Sequence, residues 1–210
     1  MKNYLTQNAK MAKMSGVKTF NWGIPAYKSA GGFKTCPWAG ECAKGCYARQ
    51  GAYVWSNVSQ AFEARLALAR SRDFVNTIDA EIKRRKIKRL RIHDSGDFFS
   101  PKYRDDWFLI MKANEGTEFY AYTKAIPLFT GIDLPSNFKL VYSEGGKLDH
   151  LIKATDRHSR VFPDLNTLKA AGYADTSKDD SVALGDNHRI GLIYHGSKGK
   201  AWSTGNTPHA

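Results

Sequence analysis

Apolar residues gather along this chain in six short runs: "VKTFNW" (17–22), "RLRIHD" (89–94), "TEFYAY" (117–122), "FKLVYS" (138–143), "SRVFP" (159–163) and "RIGLIY" (189–194). Each is rich in β-branched or aromatic residues and closes on polar or turn-forming positions, the pattern of buried strands. Between the first two lies a helical region from about Ser56 to Lys86. Val58, Phe62, Leu66 and Ala69 share one face, and Phe74, Ile78 and Ile82 repeat it after a break near Ser71 to Asp73. The stretch "SPKYRDDWFLIMKANEG" opens on Ser100 as N-cap and Pro101 at the first helical position, and carries Trp107, Ile110 and Met111 before Gly116.

Strand, helix and strand in this order predict parallel βαβ units with right-handed crossovers. The expected fold is α/β, an open or partial parallel β/α barrel, with a doubly wound sheet as the alternative. The connection "EGGKLDHLIKATDRH" is short for a full crossover but has room for one helix of two turns. Residues 164–187 are polar, with "DTSKDD" reading as an exposed loop, and the tail of about 197–210 is expected to be mobile.

At 210 residues and 42% hydrophobic the chain suits one domain with one sizeable core. Lys and Arg number 32 against 20 Asp and Glu, a formal charge of +12 that suits acidic partners or solubility alone. The first residues lack the apolar core of a signal peptide, and no run of about 18 apolar residues occurs, so a cytoplasmic protein without membrane contact is expected. Oligomeric state is not legible.

All three cysteines, Cys36, Cys42 and Cys46, lie within eleven residues of "TCPWAGECAKGCYA", inside a loop spanning about 30–52. An odd count in a reducing compartment favours metal binding or thiol chemistry over disulfides. Pro37, Gly40 and Gly45 bend the C-x5-C-x3-C backbone so that three sulfurs can turn inward. Zinc wants four ligands and would need His93, His195 or another residue from afar. Three thiolates without a fourth suit a [4Fe–4S] cluster whose open iron binds a small molecule, and a non-metal catalytic thiol is the third alternative. Lys34, Lys44 and Arg49 flank the thiols.

In parallel α/β folds, sites form where the strands end at their carboxyl side. That rule gathers His93, Asp94, Ser95, Asp97, Thr123, Lys124, Ser143, Glu144 and His195 on one rim. Taken singly each has an ordinary explanation: Asp94 and Asp97 as helix caps, Lys124 as a surface lysine, Glu144 as part of a turn, the histidines as satisfied core or surface groups. Trp22, Trp38, Tyr47, Tyr53 and Trp55 lie near the loop in sequence and could shield a cluster or stack on bases. The run "KRRKIKRLR" (83–91) places seven positive charges in nine residues. Nucleic acid is one reading, and a solvated helix end opposite the rim is the other.

Together with "RIHDSGDFFSPKYRDDWF", "YAYTKA" and "VYSEGG", the cysteine loop resembles the phage-encoded gene product 88 family, and the likeness covers most of the chain. That resemblance implies a phage origin and action in the infected host cell. The layout is also similar to a reduced radical S-adenosylmethionine protein. That likeness implies Cys36, Cys42 and Cys46 as cluster ligands, and Ser95, Gly96 and Asp97 near a methionyl amino group. Lys124 would meet a carboxylate, and Ser143 and Glu144 would reach a ribose, with S-adenosylmethionine as the possible second cofactor. The spacing departs from the common C-x3-C-x2-C, and Tyr47 follows the last cysteine instead of preceding it. Two function classes result: a redox or radical enzyme on an unidentified substrate, and a non-catalytic metal-stabilised protein that binds nucleic acid or a host factor.

Overall fold

The computed structural model describes residues 2–14 and 16–194. His195 and the tail that follows lie outside the described residues. Seven strands form one all-parallel sheet: β1 (Thr19–Trp22), β2 (Arg89–Ile92), β3 (Glu118–Thr123), β4 (Phe138–Ser143), β5 (His158–Phe162), β6 (Ala174–Asp175) and β7 (Arg189–Ile193). Their order is β1-β2-β3-β4-β5-β7-β6. Strands add in one direction from β1 to β5, β7 then pairs with β5 and carries β6 on its far edge, and the sheet curls into an open half-barrel. The doubly wound alternative is thereby overturned, since that topology places strands on both sides of the first.

Among the described residues six α-helices accompany the strands: α1 (Ala9–Ala12), α2 (Ser56–Ala69), α3 (Phe74–Arg85), α4 (Pro101–Lys112), α5 (Leu165–Ala170) and α6 (Ser181–Leu184). The break near Ser71 to Asp73 separates α2 from α3. Ser100 caps α4 by accepting the Tyr103 N–H at 3.2 Å, so the cap reading of Asp94 and Asp97 gives way to it. The β4–β5 connection carries a single 3-10 turn, Asp149–Leu151, and not the two-turn helix for which it has room. The stretch 164–187 folds into α5, β6 and α6, and "DTSKDD" is not an exposed loop: Asp175 lies in β6, Thr176 and Asp180 are fully buried, and of the six only Lys178 is exposed.

Alternation along the strands divides the core in two. Phe20, Trp22, Leu90, Ile92, Phe119 and Ala121 pack under α2, α3 and α4, where Trp22 meets Phe74 and Trp107 at ring separations of 5.4 and 5.8 Å. Trp22 is therefore a core residue and no shield for the cysteines. On the inner face Tyr120, Val141 and Ile190 pack against Met11, Met14, Ala183 and Leu184. That face also carries Arg91, whose guanidinium bonds the fully buried Asp180 at 2.7 Å, while Lys10 reaches the other carboxylate oxygen at 2.6 Å. No helix among the described residues is long and apolar enough to cross a membrane.

A thiol loop seated on the strand ends as candidate functional site

The cysteine loop leaves β1 and is folded back by local bonds. Thr35 is fully buried, with its N–H bonded to the Tyr27 carbonyl at 3.0 Å and its hydroxyl to the Pro25 carbonyl at 2.6 Å. The N–H of Tyr27, whose φ is +64°, points at the Cys36 sulfur at 3.4 Å. Three 3-10 turns follow, Glu41–Ala43, Tyr47–Arg49 and Gly51–Val54.

Distant strand ends then fix the loop in place. The N–H groups of Gly40 and Cys42 both donate to the Gly145 carbonyl, at 3.2 and 3.1 Å, and the Lys147 N–H donates to the Trp38 carbonyl at 2.9 Å. The Gly145–Gly146 turn is itself held by Asp149, whose carboxylate accepts both glycine N–H groups at 2.7 and 2.9 Å. A Cβ on Gly40 would stand 2.7 Å from the Gly146 backbone, so only glycine permits this approach. From β2 the Asp94 carbonyl accepts the Tyr47 hydroxyl at 2.5 Å, and beyond β7 the Tyr194 hydroxyl donates to the Gly45 carbonyl at 3.1 Å. The loop thus roofs the carboxyl ends of β1, β2, β4 and β7.

All three thiols are free and half-buried. Burial pushes the Cys36 thiol up, helped by the Asp97 carboxylate, and the other two thiols raise it further. Burial likewise raises Cys42 and Cys46, opposed at both by the Lys124 ammonium, and at Cys46 also by the backbone N–H groups of Ala48 and Arg49. Each sulfur therefore lies within electrostatic reach of the same Lys124, Asp97 or neighbouring thiol. Among the described residues no group of three His, Cys, Asp or Glu side chains is arranged to hold a metal ion.

The residues expected on the rim divide by environment. Asp97 is buried and accepts the Phe98 N–H at 2.7 Å, the Thr123 hydroxyl at 2.6 Å and the Lys124 N–H at 2.9 Å, which ties the β2 end to the β3 end. Lys124 then donates to the Ser143 hydroxyl at 2.7 Å, beside the thiols. Gly96 sits at φ +80°, where a Cβ would meet Ile24 at 2.2 Å, so its glycine is required by the fold. Ser95 is buried, and its hydroxyl has no partner among the described residues. Glu144 pairs with Arg160 at 2.6 Å and lies 3.7 Å from His158.

Three expectations need correction. His93 does not face the rim: it is buried against the edge of Phe98, bonded to the Tyr103 hydroxyl at 3.1 Å, and burial lowers its pKa to about 3. Asp94 turns to the N-terminal segment, where Asn21 and Asn8 donate to it at 2.8 and 3.2 Å. Trp55 is exposed and covers no thiol, whereas Tyr47 packs edge-on to Tyr53, and Tyr53 stacks on Phe62. The anchors Gly145, Asp149 and Tyr194 escaped the sequence reading. The adjacent glycines after β4 were the one local signal of close backbone approach.

The architecture defines a class: a curled parallel α/β half-barrel with three thiols in a loop laid over the carboxyl ends of its strands. Residues 2–207 match the protein family described as Gene product 88, and the chain belongs to that family. It is 36% identical over 114 residues to the Gene 88 protein of Mycobacterium phage L5, and 34% identical over 115 residues to that of Mycobacterium phage D29. Each match covers 49% of this chain and 46% of the relative, so the chain spans just under half the length of the curated relatives it matches. No solved structure matches it.

Proposed function

We infer that Cys36, Cys42 and Cys46 hold a [4Fe–4S] cluster whose fourth iron is left to a small ligand. The observation that carries this reading is the convergence of the three thiols under one loop, with Lys124 acting on Cys42 and Cys46. Soft thiolates suit iron–sulfur clusters, and a structural zinc ion would need a fourth protein ligand beyond the three thiols of this loop. Because burial keeps the thiols protonated, iron must supply the positive charge that ionises them. Lys124 and the N–H groups of Tyr27, Ala48 and Arg49 then offset the negative charge of the thiolates.

When bound, the cluster supplies an electron carrier and one iron open to a ligand's amino, carboxylate or other donor atoms. S-adenosylmethionine is the ligand proposed for that iron. Lys124, with Ser143 beside it, is the cation placed to meet a carboxylate there, and Ser95 has the uncommitted hydroxyl. The reducing host cytoplasm is the compartment that suits free thiols.

Anaerobic reconstitution tests the reading. The expected product is a brown protein with about four iron and four sulfide per chain, absent in Cys42→Ala. A colourless protein that retains stoichiometric zinc would overturn it. Equilibrium dialysis of the loaded protein with S-adenosylmethionine then separates ligand binding from cluster binding, and formation of 5′-deoxyadenosine on reduction tests cleavage.

A further inference from the structure

The basic run 83–91 is divided by the fold in a way its sequence conceals. Lys83 is paired with Asp79 at 2.8 Å, Arg85 with Glu81 at 2.5 Å, Arg89 with Glu118 at 2.8 Å and Arg91 with Asp180 at 2.7 Å. Lys86 and Lys88 remain exposed, and no carboxylate of the described residues forms an ion pair with either. They meet Lys18 from the other end of the sequence in one surface depression, lined by Val17, Lys18, Phe20, Arg85, Lys86 and Lys88.

Two features of this depression oppose ordinary folding preference. Lys18 and Lys88 immediately precede Thr19 and Arg89, which are register partners on adjacent parallel strands, so like charges stand side by side. Lys86 ends α3 in the left-handed conformation, φ +50°, a position that glycine or asparagine fills with less strain. Lys18 rests its ammonium over the Phe20 ring at 5.2 Å, so three lysines that form no ion pair with any carboxylate of the described residues border one hollow. Arg85 forms its fixed wall, its guanidinium 4.4 Å over the Phe20 ring and bonded to the Leu5 carbonyl.

We propose that this depression, at the amino ends of β1 and β2 and opposite the thiol loop, binds the phosphodiester backbone of duplex DNA without reading its sequence. The lining has lysines for phosphates, but its one aromatic ring, Phe20, is buried and cannot stack on a base, which excludes a single-strand platform. A ligand at the thiol loop and DNA at this face would bind on opposite ends of the sheet. Neither site depends on the other.

Fluorescence anisotropy of the full chain with a labelled duplex, titrated with salt, tests the proposal. The triple variant Lys18→Gln, Lys86→Asn, Lys88→Gln should lower the slope of log K against log salt by about three, one for each lysine, and Lys88→Gln alone by about one. A charge-matched control, Lys153→Gln, Lys169→Gln, Lys178→Gln, removes exposed lysines around β5 to β7 and should leave the slope near that of the parent. Circular dichroism checks that each variant is folded. The proposal is overturned if the parent shows no salt-dependent DNA binding, or if the two triple variants lose equal slope. It also fails if single strands are preferred, or if anionic phospholipid vesicles bind and DNA does not.

Discussion

Asp97 and Lys124 are joined through the backbone: the Asp97 carboxylate accepts the Lys124 N–H at 2.9 Å, so the loop after β2 sets the position of the side chain after β3. The same carboxylate holds the Thr123 hydroxyl and the Phe98 N–H. Asp97→Ala leaves three donors without an acceptor in a buried site, and should cost about 3 kcal/mol of stability. Asp97→Asn, which keeps one acceptor oxygen, should cost less. Urea unfolding at neutral pH measures both, and equal stability of the alanine variant and the parent would refute the tie.

Gly40 is expected to be irreplaceable for a different reason. In Gly40→Ala the new methyl meets the Gly146 carbonyl group at 2.7 Å, and backbone cannot rotate away as a side chain can. The loop must lift from the β4 end, with a stability loss of about 1–3 kcal/mol and reduced iron uptake on reconstitution. Gly31→Ala, whose methyl would approach nothing closer than 3.9 Å, is the matched control and should behave like the parent.

His93 makes the protein acid-sensitive well above the carboxylate range. Burial lowers its folded pKa to about 3, while the unfolded value is about 6.5. Above pH ~6.5 both states are neutral and the group contributes nothing. As pH falls from there toward 3 the unfolded state takes up the proton first, so stability drops by up to about 1.4 kcal/mol per pH unit. His93→Asn removes the titrating group and tolerates the φ of +67° at this position. Denaturant midpoints between pH 7 and 4 should therefore fall more steeply in the parent than in this variant.

Asp180 holds two cations inside the half-barrel, and removing it alone strands Arg91. Asp180→Leu should cost about 3–5 kcal/mol, because an uncompensated guanidinium remains buried. Arg91→Met in the same chain should recover much of that loss. The Arg91 and Lys10 charges hold the Asp180 carboxyl below its ordinary range, against the opposing effect of burial. Its contribution is present above pH ~4 and lost as pH falls through the folded value, a lower window than that of His93. A double-mutant cycle by thermal unfolding at pH 7 measures the coupling, and additive losses would show that the pair does not act as a unit.

Strands, the α2–α3 break, the Ser100 cap and the thiol loop were legible because each depends on neighbours in sequence. Alternation and helical spacing are local, and six of the seven strands announced themselves through them. β6, two residues long, has no pattern to read. The polar segment around it folds because long-range partners satisfy it, with Arg157 donating to the carbonyls of Ala183 and Gly185, and Asp180 meeting Arg91 and Lys10. The rim at the strand ends followed from the rule for parallel sheets, and Asp97, Lys124 and Ser143 do converge on the thiol loop. His93 carries the same sequence signal as Asp97, but its side chain turns inward to Tyr103. By itself the sequence determined which residues alternate, which helices begin and end, and that three thiols share one loop. Only the tertiary structure decided which strand ends hold that loop, and which charges of the basic run are neutralised. Those outcomes rest on contacts between residues far apart in the chain, whose pairing is set by the order and curl of the sheet.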